Sequence, residues 1–170
     1  MSEQATLSLL RQREIEARIV GPLYRAFAKE IGEARTRAII DGVIRELARE
    51  SGCAAAQRVG GNDLAKFAEA KERWREDDAL SLSVIRQDDK VLEFNVTRCL
   101  FAEMYRALGM QELGGLLSCS RDAAMIEGFN SHIQLTRTQT IMEGANHCDF
   151  RFKVRPDDQP SEGLIGERRE

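Results

Sequence analysis

The sequence predicts an α+β fold, in which a helical N-terminal half packs on a C-terminal antiparallel sheet with two inserted helices. Apolar residues recur at helical spacing through residues 7–58, and the period changes to strand-like alternation after residue 79. Two amphipathic segments over 99–127 then separate two strand-like runs. Because the strands form two groups on either side of helices, we expect them to pair in an antiparallel sheet.

The chain has 170 residues, which is room for one compact domain. We expect a helical region over 1–78, an α+β core over 79–155 that carries the functional motifs, and a polar tail over 156–170. The helical region begins with an apolar stripe over 10–27, which the Gly-Pro pair at 21–22 kinks or ends.

The rest of the helical region follows the same spacing. A second stripe over 39–47 has charged residues on its outer face and predicts a second helix, which Ser51-Gly52 ends or bends. Asn62 or Asp63 can cap a third helix that runs to about Arg75.

The core begins with a predicted hairpin over 81–87 and 91–97, whose residues are β-branched or aromatic at alternate positions. A helix over 99–108 follows, with Gly109 at its C-terminal cap, and a second helix covers 111–127. The alternation over 133–142 predicts a long strand, and Cys148, Phe150, Phe152 and Val154 predict a closing strand over 148–154.

Composition excludes several classes of protein. The chain carries 25 basic and 28 acidic residues, so it has no basic excess for binding nucleic acid. Its longest uncharged stretches are shorter than a membrane helix, and its N-terminus places charges where a secretory signal would be apolar. We therefore expect a cytoplasmic protein whose partner is a small molecule, with neither a nucleic acid nor a membrane as partner.

Four cysteines in a reducing compartment are not expected to form disulfides. Three of them, Cys99, Cys119 and Cys148, lie in the segment 95–150 together with both histidines. Each can be a small core residue, a ligand of a zinc-like metal or a catalytic nucleophile, and the spacing alone leaves these three alternatives open.

The predicted elements bring these thiols together with charged groups. Cys99 and Glu103 are four residues apart and share a helix face, as do Cys119 and Asp122, which are three apart. Cys148 lies in phase with the inward aromatic residues of the last strand. Arg137 is expected in the middle of a strand, where its guanidinium group could bind a carboxylate ligand through two hydrogen bonds.

A series of motifs in a fixed order extends over about 60 residues, in the runs 95–130 and 135–152. The motif positions are Cys99, Phe101, Glu103, Leu108-Gly109, Glu112-Leu113, Cys119, Asp122, Gly128-Phe129-Asn130, Arg137-Thr138, Thr140, Gly144 and Cys148-Asp149-Phe150. In this pattern the chain resembles the L-2-amino-thiazoline-4-carboxylic acid hydrolase family. Cys53 and the N-terminal helices lie outside the pattern.

The resemblance implies a hydrolase that opens a small cyclic amidine, such as L-2-amino-thiazoline-4-carboxylate, by C–N hydrolysis. The reaction needs an attacking group, a proton donor for the leaving atom and an anchor for the substrate carboxylate. The candidate catalytic residues are Cys119, Asp122, Glu103 and His147, and the candidate substrate-binding residues are Arg137, Asp149 and Asn95. The candidate metal ligands are Cys99, Cys119 and Cys148, so the cofactor is either none or a zinc-like metal.

A non-catalytic sensor module that binds a small molecule or a metal in the same pocket is the alternative function. The apolar N-terminal helices also predict a homo-oligomer.

Overall fold

A computed structural model describes residues 7–156 of the protein, so the polar tail predicted over 156–170 lies outside the described residues after Pro156. The chain begins with two long helices, α1 (Leu9–Ile31) and α2 (Glu33–Val59), which are joined by Gly32. Its φ of 86° is a left-handed conformation that glycine adopts without strain. Helix α1 continues through Gly21-Pro22 and α2 continues through Ser51-Gly52, where the sequence predicts a kink or an end.

The packing of these helices explains their continuity. A Cβ at Gly21 would lie 2.7 Å from the Met110 sulfur, and a Cβ at Gly52 would lie 2.0 Å from the Met125 carbonyl oxygen. These glycines therefore mark places of close approach rather than helix ends. No helix in the described part of the chain is long and apolar enough to cross a membrane.

A short helix and a 3₁₀ segment lead into the sheet. Helix α3 (Leu64–Ala70) is capped by Asp63, whose carboxylate accepts from the Lys66 amide at 2.8 Å, as the sequence predicts. The chain then forms a 3₁₀ segment over Lys71–Asp78 in place of the last turn of the predicted third helix.

The sheet has four antiparallel strands in the order β1-β2-β4-β3, which confirms the predicted α+β class. The strands are β1 (Leu80–Gln87), β2 (Val91–Cys99), β3 (Ile133–Thr136) and β4 (Cys148–Val154). Phe94 and Phe150 stack across β2 and β4 with ring centroids 5.1 Å apart. The face that carries them packs on Phe67 of α3 and on the last helix inserted between β2 and β3.

The inserted helices are α4 (Leu100–Ala107), α5 (Gln111–Gly114) and α6 (Arg121–Phe129). Gly109 ends α4 with a φ of 64°, as predicted. The predicted helix over 111–127 exists, but it contains a π-helical segment, Gly115–Cys119, between α5 and α6. Such a segment shifts the helical phase and is frequent at functional sites.

The strand predicted over 133–142 is wrong beyond Thr136. Residues 137–140 form a loop, and a 3₁₀ turn follows over Ile141–Glu143. The Asp149 side chain accepts from the backbone amides of Thr138 at 3.0 Å and Gln139 at 2.9 Å. These bonds replace the ladder bonds that a longer strand would make, so the alternating sequence does not become a strand here.

Candidate functional site

A cavity of about 120 Å³ lies between α2, α6 and the inward face of the sheet. Its apolar wall includes Ala55, Trp74, Val96, Met125 and Phe150. Its polar lining includes thiols, serine hydroxyls, a carboxylate and guanidinium groups. Small sites with an apolar body and a few convergent polar groups are typical binding or catalytic pockets.

All three cysteines of the predicted site line this cavity. Cys99 ends β2, Cys119 ends the π-helical segment and Cys148 begins β4. Within residues 7–156, however, no group of three or more Cys, His, Asp or Glu side chains is arranged so that it could hold a metal ion. The thiols therefore share a pocket without forming the ligand set that the metal interpretation requires.

Burial keeps these thiols in the protonated form. It raises the pKa of Cys99 to about 11 and raises the pKa values of Cys119 and Cys148 as well. Asp122 adds to the rise at Cys119 because a nearby negative charge disfavours a thiolate, whereas Arg137 opposes it. At neutral pH the pocket thus presents neutral thiols.

The charged centre of the cavity is an ion pair between Asp122 and Arg137. Arg137 Nη1 donates to Asp122 Oδ2, and its Nη2 donates to the Cys119 carbonyl oxygen at 3.1 Å. The guanidinium also lies 5.2 Å from the centre of the Phe150 ring. Burial raises the pKa of the Asp122 carboxyl, and Arg137 opposes that rise.

Local structure explains how these two groups meet. Asp122 lies in the first turn of α6, directly after the π-helical segment that carries Cys119. Arg137 follows the last residue of β3 instead of lying in mid-strand as predicted, and the loop that Asp149 holds carries it towards α6. The guanidinium group of Arg137 is thus already bound to the Asp122 carboxylate of the same chain.

The structure places Glu103 outside the pocket. Cys99 belongs to β2 and α4 begins only at Leu100, so the shared helix face predicted for Cys99 and Glu103 does not form. Glu103 instead accepts from Arg98 Nε at 2.9 Å, with 47% of its side chain exposed.

Three further candidates also lie away from the cavity lining. His147 contacts Asn146 and Gln139 at the start of β4. Asn95 accepts from Arg151 across the sheet at 2.9 Å. Asp149 holds the loop after β3, and although slight burial acts to raise the pKa of Asp149, its hydrogen bonds lower it. These three side chains support the framework of the site.

Arg13 and Arg121 line the cavity, although neither was among the predicted site residues. Arg121 lies between Cys119 and Asp122 in sequence, within the motif segment. Arg13 belongs to α1 and lies four residues before the buried Ala17, so helical spacing is the signal that could have placed it on the inner face.

The fold is similar to two solved structures of low sequence identity. The phenol-responsive sensory domain of the transcription activator PoxR, solved with phenol, matches with a TM-score of 0.54 and 15% identity, over 89% of this chain and 78% of that chain. Trafficking protein particle complex subunit 3 from Naegleria fowleri, covalently bound to palmitic acid, matches with a TM-score of 0.53 and 9% identity, over 85% of this chain and 96% of that chain. These matches show a shared fold.

Sequence comparison identifies the family. A search of curated proteins finds no match to this chain. The family model described as L-2-amino-thiazoline-4-carboxylic acid hydrolase matches residues 12–152, from the first turn of α1 to within the last strand. The chain therefore belongs to the L-2-amino-thiazoline-4-carboxylic acid hydrolase family.

Proposed function

We propose that the protein is a hydrolase that opens a small cyclic amidine bearing a carboxylate, such as L-2-amino-thiazoline-4-carboxylate, by breaking a ring C–N bond. The observation that carries the proposal is the Asp122–Arg137 pair inside a cavity of about 120 Å³. An apolar cavity of roughly 150 Å³ accommodates benzene, so this one is on the scale of a single small ring without its substituents. Family membership supports the class of reaction.

Asp122 is the candidate acid/base group. A protonated amidine is a cation, and the Asp122 carboxylate can stabilise it in the pocket. Water then adds to the amidine carbon between sulfur and nitrogen, and Asp122 accepts the proton that water loses. Asp122 returns that proton to the ring nitrogen as the C–N bond breaks, the hydroxyl of the adduct gives its proton to the released amine, and a carbamoyl carbonyl and an ammonium group result. The raised pKa of Asp122 brings its proton affinity closer to the working pH.

Water is the proposed nucleophile because the thiols lack an activating partner. A cysteine nucleophile needs a base or a positive charge that stabilises the thiolate. Neither histidine of the described chain lines the cavity, and Arg137 directs its hydrogen bonds to Asp122 and to the Cys119 carbonyl oxygen. Neutral thiols at Cys99, Cys119 and Cys148 suit the wall of a pocket for a sulfur-containing ring.

Turnover of defined compounds tests this function. Purified protein is incubated with the aminothiazoline carboxylate and with related cyclic amidines, and ring-opened products are measured by mass spectrometry. The PoxR domain, which has a similar fold, is a phenol-responsive sensory domain, so the same compounds are also tested for an effect on the melting temperature. Ring opening supports the hydrolase. A rise in melting temperature without any ring opening would contradict it and favour a binding module.

The outer face of α1 and α2 supports a second proposal, which concerns assembly. Eight large apolar side chains on these helices are about half exposed, and all of them except Ile15 and Ile19 line a groove of about 420 Å³. They are Ile15, Ile19, Leu23, Phe27, Ile31, Ile39, Val43 and Leu47. Together they present roughly 600–800 Å² of apolar surface, more than monomeric proteins ordinarily expose.

We infer that a second copy of this chain covers the α1–α2 face. A stable dimer needs about 800 Å² from each partner, which this face nearly supplies by itself. The segments outside the described residues contain only Met1, Leu164 and Ile165 as large apolar residues, too few to cover eight side chains. A second copy brings a face of the same size and chemistry, as a two-fold interface requires.

A further inference from the structure

A cluster of charged side chains closes the α1 side of the cavity. Arg13 and Arg121 both line the cavity, and both donate to Glu16 of α1. Arg13 Nη1 lies 2.7 and 2.9 Å from the two Glu16 oxygens, and Arg121 Nη2 lies 2.8 Å from Oε2. Arg121 Nε also donates to the Leu117 carbonyl oxygen at 2.8 Å. Two guanidinium groups therefore share one carboxylate.

The charges of this region do not balance. The side chains of Arg13, Arg121 and Arg137 are only 13%, 10% and 16% exposed. Their carboxylate partners are Glu16, shared by the first two, and Asp122, which binds the third. Three buried positive groups thus face at most two negative ones. A buried charge without a counter-charge is costly, so a ligand with one negative charge stabilises this pocket by binding in it.

The Tyr105 hydroxyl is a second sign that the cluster is incomplete. Tyr105 is fully buried on α4, and its hydroxyl has no hydrogen-bond partner among the described residues. Arg13, Arg121 and Glu16 are the charged groups that act on it most strongly. Buried hydroxyls are nearly always paired, so the core beside the cluster holds an unused donor, although Tyr105 itself does not line the cavity. The anion receptor therefore rests on the charge of Arg13 and Arg121, which do line it.

Other arginines are less suited to hold an anion inside the cavity. Arg137 has the Asp122 carboxylate to itself, so its charge is already balanced, whereas Arg13 and Arg121 share Glu16. Arg58 is exposed, and Arg73 is less buried than the inner arginines, with 28% of its side chain exposed. Both line the same cavity, where their charge favours the approach of an anion.

We propose that Arg13 and Arg121 together form the receptor for the carboxylate of the ligand. The assignment of a ring carboxylate as the ligand rests on the proposed function, while the receptor rests on the charge and contacts of the cluster. A zwitterionic ring would then lie with its carboxylate towards α1 and its amidinium towards Asp122. This orientation places the amidine carbon near the acid/base group and gives α1 a direct part in substrate selection.

The test compares matched acids and amides. Thiazole-4-carboxylate and its carboxamide have the same ring and differ in charge, and neither has an amidine to hydrolyse. Dissociation constants are measured by calorimetry for the full chain and for Arg13→Met. This variant removes the excess charge but leaves Arg121 as the partner of Glu16, so the fold is expected to persist. We expect the unmodified protein to bind the acid at least tenfold more tightly than the amide, and Arg13→Met to show little preference.

Arg11→Met is the matched control. Arg11 lies on the same helix with 65% of its side chain exposed, and its partner Glu14 also keeps a second arginine, Arg18. This variant should retain the full preference for the acid. Equal affinity for acid and amide in the unmodified protein, including no binding of either, would overturn the receptor, as would an undiminished preference in Arg13→Met. If the preference for the acid is present and is lost in Arg13→Met, but no cyclic amidine is opened, the results refute the proposed hydrolase and support the anion site.

Discussion

Single residues give the pocket its chemical character. Cys99, Cys119 and Cys148 contribute neutral thiols because burial disfavours the thiolate. Asp122 contributes a carboxylate that Arg137 holds in one orientation. The combination favours general acid/base chemistry on a bound ring over attack by a cysteine.

The reactivity of the thiols tests this distinction. Alkylation by iodoacetamide requires a thiolate, and the exposed Cys53 is an internal reference in the same chain. We expect Cys99 and Cys119 to be labelled far more slowly than Cys53 at pH 7. Because the raised pKa of Cys99 is about 11, its labelling rate should rise about tenfold for each pH unit between 7 and 10.

Peptide mass spectrometry gives the rate at each cysteine. Faster labelling of Cys119 than of Cys53 at neutral pH would show a stabilised thiolate, and would make Cys119 the better candidate for the nucleophile.

The site residues differ in how well local sequence can locate them. Cys148 alternates in step with Phe150 and Phe152, and β4 follows that alternation, so its inward position is predictable. The spacing of Cys99 and Glu103 predicts one helix that holds both, but the strand continues through Cys99. Arg13 and Glu16 are three positions apart on α1, but Arg121 is 105 positions from Glu16, a separation that helical spacing cannot bridge.

Among the elements, the crossing of α2 and α6 sets the shape of the cavity. Gly52 and Gly128 allow the two backbones to touch, since a Cβ on Gly128 would lie 2.0 Å from the Arg49 carbonyl oxygen. Ala48 and Ala55 on α2 and Met125 on α6 line the cavity around this crossing. The spacing of these helices therefore fixes the width of the pocket.

A pair of alanine substitutions in α2 tests this crossing. Gly52→Ala adds a methyl group against the backbone of α6 and should lower the free energy of unfolding by about 1–3 kcal/mol. Gly42→Ala, in the same helix, meets no atom within 4 Å and should raise it by about 0.5–1 kcal/mol. Urea unfolding measures both. The same sign for the two variants would contradict the close crossing.

The elements also show where periodicity is an insufficient guide. The alternation over 133–142 is real, yet the chain leaves the sheet after Thr136 because the Asp149 side chain binds the amides of Thr138 and Gln139. The side chain of Asp149 in β4 therefore determines where β3 ends, and the alternating pattern of 133–142 does not reveal this contact. The hairpin of β1 and β2, in contrast, forms as predicted.

At the scale of the whole molecule, the apolar face of α1 and α2 predicts a dimer. Phe27→Glu places a charge in the middle of this face and should convert the dimer to a monomer in light scattering. Val84→Glu makes the same kind of change at an exposed residue of β1 and should leave the dimer intact. A monomer in the unmodified protein at about 100 μM would refute the interface.

The most direct measurement of the central claim is the turnover number of Asp122→Asn with the aminothiazoline carboxylate. The amide keeps an oxygen that can accept from Arg137 but can neither take nor return a proton, so we expect the rate to fall at least about 100-fold. Glu103→Gln, which changes an exposed carboxylate outside the pocket, should retain the rate of the unmodified protein. A rate for folded Asp122→Asn within about threefold of the unmodified protein would contradict the proposed hydrolase site.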